Sequence, residues 1–165
     1  MLKTKSGRTI DSLSDMKSYK KLQKTFEDGK NQSLKIGFPS TSSKTGDTDD
    51  TGVTALYKAT VNNFGIGVYK RPFMAMAYAK NVGKYRKYLA NHIGKDSQKD
   101  ILSTLGVIGE GDVKDMITHG SFISNSQKTI DEKGEDRPLI DSAHMVGSVS
   151  WSIVWLMYQK RLKSF

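Results

Sequence analysis

The side chains that most often carry catalysis or bind metals are few in this sequence, and they are not spaced for either task. None of its three histidines has a partner histidine at the spacing of a metal-ligand motif. Asp47, Asp49 and Asp50 suggest the start of a calcium loop, but the later glutamate that completes an EF-hand is missing. Cysteine is absent, so thiolate catalysis, disulfides and cysteine-zinc sites are excluded. We therefore expect no metal and no cofactor. The histidines are His92, His119 and His144.

Glycine-rich and nucleophile motifs fail in the same way. Gly106, Gly109 and Gly111 do not follow a strand, as a dinucleotide-binding turn would require. Ser142 has no flanking glycines of the kind that form a nucleophile elbow. The sequence gives no catalytic constellation, and we expect the protein not to be an enzyme.

Basic residues are the most prominent chemical feature. Lysine and arginine number 26 against 17 acidic residues, a net charge of +9, and the pI is about 9.6. This predicts an acidic partner, either nucleic acid or an acidic protein surface. Lys80, Lys84 and Lys87, with Arg86 beside them, form a stripe on a predicted helix. The stripe is either a DNA-facing or acidic-partner surface, or the solvated back of that helix.

Three helices are predicted from apolar spacing. The first spans about 15–28. The second spans 72–93, with apolar residues at steps of three and four that include Met74, Tyr78 and Tyr85. The third starts near Ser97, and its glycines either break it or allow another backbone to come close.

Two strands and two long loops complete the prediction. The segments 33–38 and 148–158 alternate apolar and polar residues, and the second strand carries both tryptophans on one face. Residues 40–52 and 119–138 are polar and are predicted to be long loops, and residues 1–14 a loosely ordered lead-in. The run 53–64 fits either a strand or a helix capped by Thr54.

Neither a membrane span nor a secretory signal is predicted, because the apolar runs are too short. We expect one domain of 165 residues that makes no membrane contact and is synthesised in the cytoplasm.

Two blocks of the sequence resemble a known family. The segments NFG at 63–65 and KRPFM at 70–74 resemble the "EFG … PARPFLR" block of phage neck and tail-completion proteins. NSQKTI at 125–130, with Lys133-Gly134, resembles that family's "NSPxTIxxKG", and PLIDSAHM at 138–145 resembles its "PLIDTGxL". Ser148-Val149 matches the "SI" that opens its last strand. The likeness covers about 33–158, and the family framework maps to Phe64, Gly65, Arg71, Pro72, Phe73, Ile130, Gly134, Leu139 and Asp141.

Three positions depart from the family pattern. Gln127 replaces a proline and Asn63 replaces a glutamate. Ala143 replaces a glycine, and alanine resists the backbone turn that glycine would permit.

The resemblance implies a virion structural protein at the head–tail junction of a long-tailed bacteriophage, acting in neck assembly, tail completion or head–tail joining. Such proteins form homo-oligomeric rings, here six-fold or twelve-fold. Their partners are tail tube, terminator and head-connector proteins, and DNA passes through the ring. The 40–52 and 119–138 loops would be the arms that reach neighbouring subunits. By the same resemblance, 53–64 is expected to be a helix.

These observations predict an α+β fold. A small antiparallel or mixed β-sheet made of 33–38 and 148–158 would pack against the long amphipathic helix 72–93, with long extended loops attached. A nucleic-acid-binding module that uses the Lys80, Lys84 and Lys87 face is the alternative function.

Overall fold

Over the residues that the structure describes, the chain forms an α+β fold with one two-stranded antiparallel sheet. A computed structural model describes residues 13–29, 31–38, 48, 52–139 and 144–155. Most of the predicted lead-in, most of the 40–52 loop and the Asp141 cap lie outside these residues. The described elements are α1 (Leu13–Gly29), β1 (Gln32–Gly37), α2 (Ala55–Phe64), α3 (Phe73–His92), α4 (Gln98–His119), α5 (Gln127–Lys133), α6 (His144–Gly147) and β2 (Ser150–Trp155).

Helix α4 is the centre of the molecule. Helix α3 packs along it, both strands pack on it, and α1 and α6 also touch it. The core brings together Phe73 and Ala77 of α3 with Val113, Met116 and Ile117 of α4. The sheet was predicted to lie on the 72–93 helix, but it lies on α4. The physical reason is that the glycines of α4 have no side chain, so the sheet can approach this helix closely.

Two glycines of α4 make room for the sheet. A Cβ at Gly106 would lie 2.6 Å from Cε3 of Trp151, and a Cβ at Gly109 would meet the side chain of Ile36. Trp151 and Ile36 are paired across the strands, so one face of the sheet rests on both glycines. The helix does not break here, and it is side chains, not a second backbone, that approach it.

Helix α3 is turned relative to the predicted apolar stripe. Phe73 and Ala77 face the core and are fully buried, whereas Tyr78, which the spacing placed inward, is 61% exposed. The exposed aromatic ring of Tyr78 instead lies beside that of the half-buried Tyr85. Within the described ranges, no helix is both long enough and apolar enough to cross a bilayer.

The ambiguous run 53–64 is a helix, as the resemblance implied. Thr54 is its N-cap, and its hydroxyl accepts a hydrogen bond from the Tyr57 amide at 3.2 Å. The helix ends at Gly65, which has a left-handed φ of 75°. A side chain at Gly65 would also collide with Lys70, since its Cβ would lie 2.8 Å from the Lys70 Cβ.

The segment 119–138 is not one uninterrupted loop. Residues 127–133 form α5, whose N-cap Ser126 accepts from the Thr129 amide. Gly134, with φ 77°, ends the helix. The prediction was wrong because a two-turn helix shows little periodicity. The residues that predict this helix are its two caps, Ser126 and Gly134.

Candidate functional site

Arg71 lies where the two family-like blocks of the sequence meet. Its side chain is only 4% exposed. The guanidinium donates hydrogen bonds to the carbonyl oxygens of Ile123 (3.1 Å from Nε, 3.0 Å from Nη2) and Ser124 (3.3 Å). It also donates to the side-chain oxygens of Asn62 and Asn125, both at 3.1 Å. One side chain therefore ties the start of α3 to the segment that leads into α5.

The positive charge of Arg71 is stabilised mainly by hydrogen bonds to uncharged oxygen atoms. Burial lowers the pKa of its guanidinium, and the negative charge of Asp136 opposes that shift. Asp136 uses its Oδ1 to accept from the backbone N–H of Asn125 at 2.9 Å. The arginine stays protonated, as arginine does throughout proteins, so the site keeps a buried positive charge.

Asparagine side chains fix the loop that precedes Arg71. The Arg71 amide donates to the Asn62 carbonyl at 2.8 Å. Asn63 Oδ1 accepts from the Met74 amide at 3.3 Å, close to the start of α3, where Pro72 supplies no side-chain cap. Short asparagine side chains can reach such amides and so take over the capping role. The loop 64–72 is thereby anchored at both ends.

The anchored loop presents apolar side chains to solvent. Phe64, the family framework residue at its start, is 65% exposed, so it does not contribute to the core. Large apolar side chains exposed next to one another mark surfaces that bind other molecules. We call residues 64–69 the apolar loop. Its exposed members are Phe64, Ile66, Val68 and Tyr69.

A cleft of about 430 Å³ lies between the apolar loop and the start of α5. Val68 and Tyr69 line one side. Amide and hydroxyl side chains line the other, and Arg71 also contributes to the surface. The cleft is therefore apolar on one wall and rich in hydrogen-bonding groups on the other. The polar residues are Asn125, Ser126 and Thr129.

The other framework residues divide between the core and the surface. Phe73 and Leu139 are buried in the main cluster, which explains why large apolar residues stand there. Ile130 is half-buried on α5, and Gly134 forms the C-cap described above. Asp141 lies outside the described residues, as does Ala143, so the turn expected there is not described.

The predicted cationic stripe is partly neutralised by α4. Lys80 pairs with Asp115 at 3.2 Å, and Lys84 pairs with Asp112 at 2.5 Å. The Tyr85 hydroxyl donates to the second oxygen of Asp112 at 2.7 Å. Burial, together with this hydrogen bond and the carboxylate charge, raises the pKa of Tyr85.

Two cations of that stripe, Arg86 and Lys87, are exposed. Among the residues that the structure describes, no carboxylate forms an ion pair with either of them. The predicted stripe therefore consists of two lysines paired with α4 carboxylates and two exposed cations.

The histidines make local contacts. His92 donates a hydrogen bond from Nδ1 to the Tyr88 carbonyl at 2.7 Å and stacks on the Tyr88 ring, and His119 pairs with Asp115. His144 is half-buried in α6. In the part of the chain that the structure describes, no three histidine or acidic side chains converge as metal ligands would.

Sequence reasoning missed the polar partners of Arg71. Asn62 was not singled out, and Asn125 was noted only as the first letter of a motif. The pair Asn62-Asn63 before a glycine was a usable signal, because asparagine often bonds to nearby backbone at helix ends. Comparison with protein-family models, with curated proteins and with solved structures finds no match to the chain.

Proposed function

We propose that this protein is a virion structural protein of a tailed bacteriophage, located at the head–tail junction. There it completes the neck or tail as a subunit of an oligomeric ring. It acts through contacts with tail tube, terminator and head-connector proteins, and it catalyses no reaction.

One observation carries the proposal. The two blocks of sequence that resemble neck and tail-completion proteins are about 50 residues apart, since Arg71 and Asn125 are separated by 54 positions. Arg71 of the first block nevertheless donates a hydrogen bond to Asn125 of the second, and its other acceptors, on Asn62, Ile123 and Ser124, lie just outside the two blocks. Arg71 and Gly65 each have a definite structural role that explains their residue type. This direct contact between the two blocks supports the proposal.

The surface also supports a role in assembly. The apolar loop exposes four large side chains on an anchored backbone, which favours binding to another protein over solvent exposure. The small core and the two-stranded sheet fit a subunit that gains stability from neighbours.

Electron microscopy of particles made without this protein tests the proposal. An amber mutation in its gene, grown in a non-suppressing host, should give filled heads beside unjoined tails. Supplying the wild-type protein to the lysate should restore joined particles. Joined, infectious particles formed without the protein would contradict the proposal.

The oligomeric state gives a second measurement. Light scattering of the purified protein, alone and mixed with tails, should show a defined oligomer. A chain that stays monomeric and binds no tails would count against a ring subunit.

A further inference from the structure

The cleft beside the apolar loop has the features of a peptide-binding groove. Its apolar wall consists of Val68 and Tyr69, while Asn125, Ser126 and Thr129 offer hydrogen-bonding groups opposite. An extended segment can bury an apolar side chain on one wall and satisfy its backbone on the other, because its side chains alternate.

The charges on the loop side of the cleft favour an acidic occupant, whereas beside the opposite wall the carboxylate of Asp136 accepts from the Asn125 amide at 2.9 Å. The sequence from 51 to 95 contains no aspartate or glutamate, so the apolar loop lies in a run whose charged residues are all basic. Lys70 follows the loop and is exposed, and Arg71, although only 4% exposed, is one of the residues that line the cleft. The basic residues of the run are Lys58, Lys70, Arg71, Lys80, Lys84, Arg86, Lys87 and Lys95.

The polar wall also has unused bonding capacity. Nδ2 of Asn125 is buried without a hydrogen-bond partner, while its Oδ1 accepts from Arg71. Leaving a buried amide donor unpaired is costly, and a small opening of the cleft would let a ligand oxygen pair with it. A donor of this kind beside a guanidinium suits a carboxylate or a peptide carbonyl.

We propose that this cleft binds an extended acidic segment of a second protein, with an apolar side chain close to its carboxylate. The apolar side chain packs on Val68 and Tyr69, and the carboxylate lies towards Lys70 and Arg71. The inference deepens the proposed function by giving the chemistry of the partner. It rests on the proposed function in one respect only, because that function says in which particle the partner occurs.

A protein segment fits the cleft better than a nucleic acid does. A strand of nucleic acid needs cations spaced along its backbone. Two lysines of the neighbouring α3 stripe are already paired with α4 carboxylates.

Binding is measured with the purified full-length chain and an array of ten-residue peptides. The peptides combine glutamate, leucine, phenylalanine and serine in all orders, and a parallel set has lysine in place of glutamate. Peptides with glutamate beside leucine or phenylalanine should bind at least about tenfold more tightly than their lysine counterparts. In a nuclear magnetic resonance titration with the best peptide, the amide signals of Gly65, Gly67 and Ser126 should shift most.

Two matched variants locate the contact. Val68→Glu places a negative charge on the apolar wall, whereas Val107→Glu places one on the exposed side of α4, away from the residues that line the cleft. Val68→Glu should weaken the best peptide at least about tenfold, since burying one valine contributes about that factor. Val107→Glu should leave binding within about twofold. Both variants should keep the wild-type melting temperature, because both valines are exposed.

Several results would overturn the inference. They are equal binding of the glutamate and lysine sets, equal effects of the two variants, or shifts confined to the Arg86 and Lys87 face. A self-association of the chain that Val68→Glu abolishes would also overturn it in favour of a second copy. These results leave the proposed function intact, whereas joined particles formed without the protein refute that function and leave the peptide result standing.

Discussion

Replacing Gly106 by alanine should destabilise the protein, although alanine is the better helix former. The change in a helix interior normally gains about 1 kcal/mol. Here the new Cβ would lie 2.6 Å from Cε3 and 2.7 Å from Cγ of Trp151, and ordinary contacts begin near 3.4 Å. The indole would have to retreat by roughly 1 Å, because its Cδ2 would lie closer still. Its Cγ lies next to the backbone, so rotation of the ring cannot remove the clash.

The size of the destabilisation depends on which other residues must move with the ring of Trp151. Trp151 is in β2 and pairs with Ile36 of β1, so displacing it shifts the sheet. Overpacking of a tight contact costs about 1–3 kcal/mol, and this rigid contact belongs at the upper end. After subtracting the helix gain, Gly106→Ala should lower the free energy of unfolding by about 2 kcal/mol. That corresponds to a drop in Tm of about 4–8 °C for a chain of this size.

Gly111→Ala is the matched control in the same helix. A Cβ there meets nothing within 4 Å, so this variant should gain up to about 1 kcal/mol. Urea unfolding followed by circular dichroism, with wild type and both variants side by side, measures the difference. Equal stability of the two alanine variants, or a more stable Gly106→Ala, would refute the contact between α4 and the sheet.

Three further predictions concern the site and the helix ends. Arg71→Met should cost about 3 kcal/mol or more in urea unfolding, because several buried oxygen atoms lose a charged donor. The exposed control Arg86→Met should change stability by less than about 0.5 kcal/mol. The raised pKa of Tyr85 means that the folded state holds this proton more tightly. Stability is therefore present below the ordinary tyrosine pKa of about 10 and is lost above it. In an absorbance titration at alkaline pH, one phenol should ionise after the others, and Tyr85→Phe should remove that late step. Thr54→Ala should cost about 1 kcal/mol by removing the N-cap of α2, and thermal melts should show no loss if the cap is unimportant.

Elements with strong local signals could be predicted from the sequence. Helix α3 and the two strands follow from apolar spacing, and the register pairs Ile36 with Trp151 as alternation allows. Helix α4 was recognised, but its glycines were read as a break or a backbone contact. Their spacing shows that the glycines share one face of the helix. Which residues pack against that face depends on tertiary contacts with distant parts of the chain.

Charge on α3 illustrates the same limit. Lys80, Lys84 and Lys87 were correctly placed on one surface of a helix. Their carboxylate partners, Asp112 and Asp115, come from α4 at a distance of 28 to 35 positions in the chain. Local sequence could count the cations, but it could not show that two of them were already neutralised.

The Arg71 network could not have been derived from residue patterns alone. Three of its five hydrogen bonds end on the backbone carbonyls of Ile123 and Ser124, which any residue type would provide. No side-chain motif therefore marks the acceptors, and only the donor is visible in the sequence. A buried arginine without a carboxylate in its hydrogen-bond shell is stable only if the chain brings several oxygen atoms to it at once. Arg71 thus requires the segment 123–125 to pass beside the start of α3. This requirement brings the two family-like blocks of the sequence into contact, whereas the resemblance alone related them only by their order along the chain.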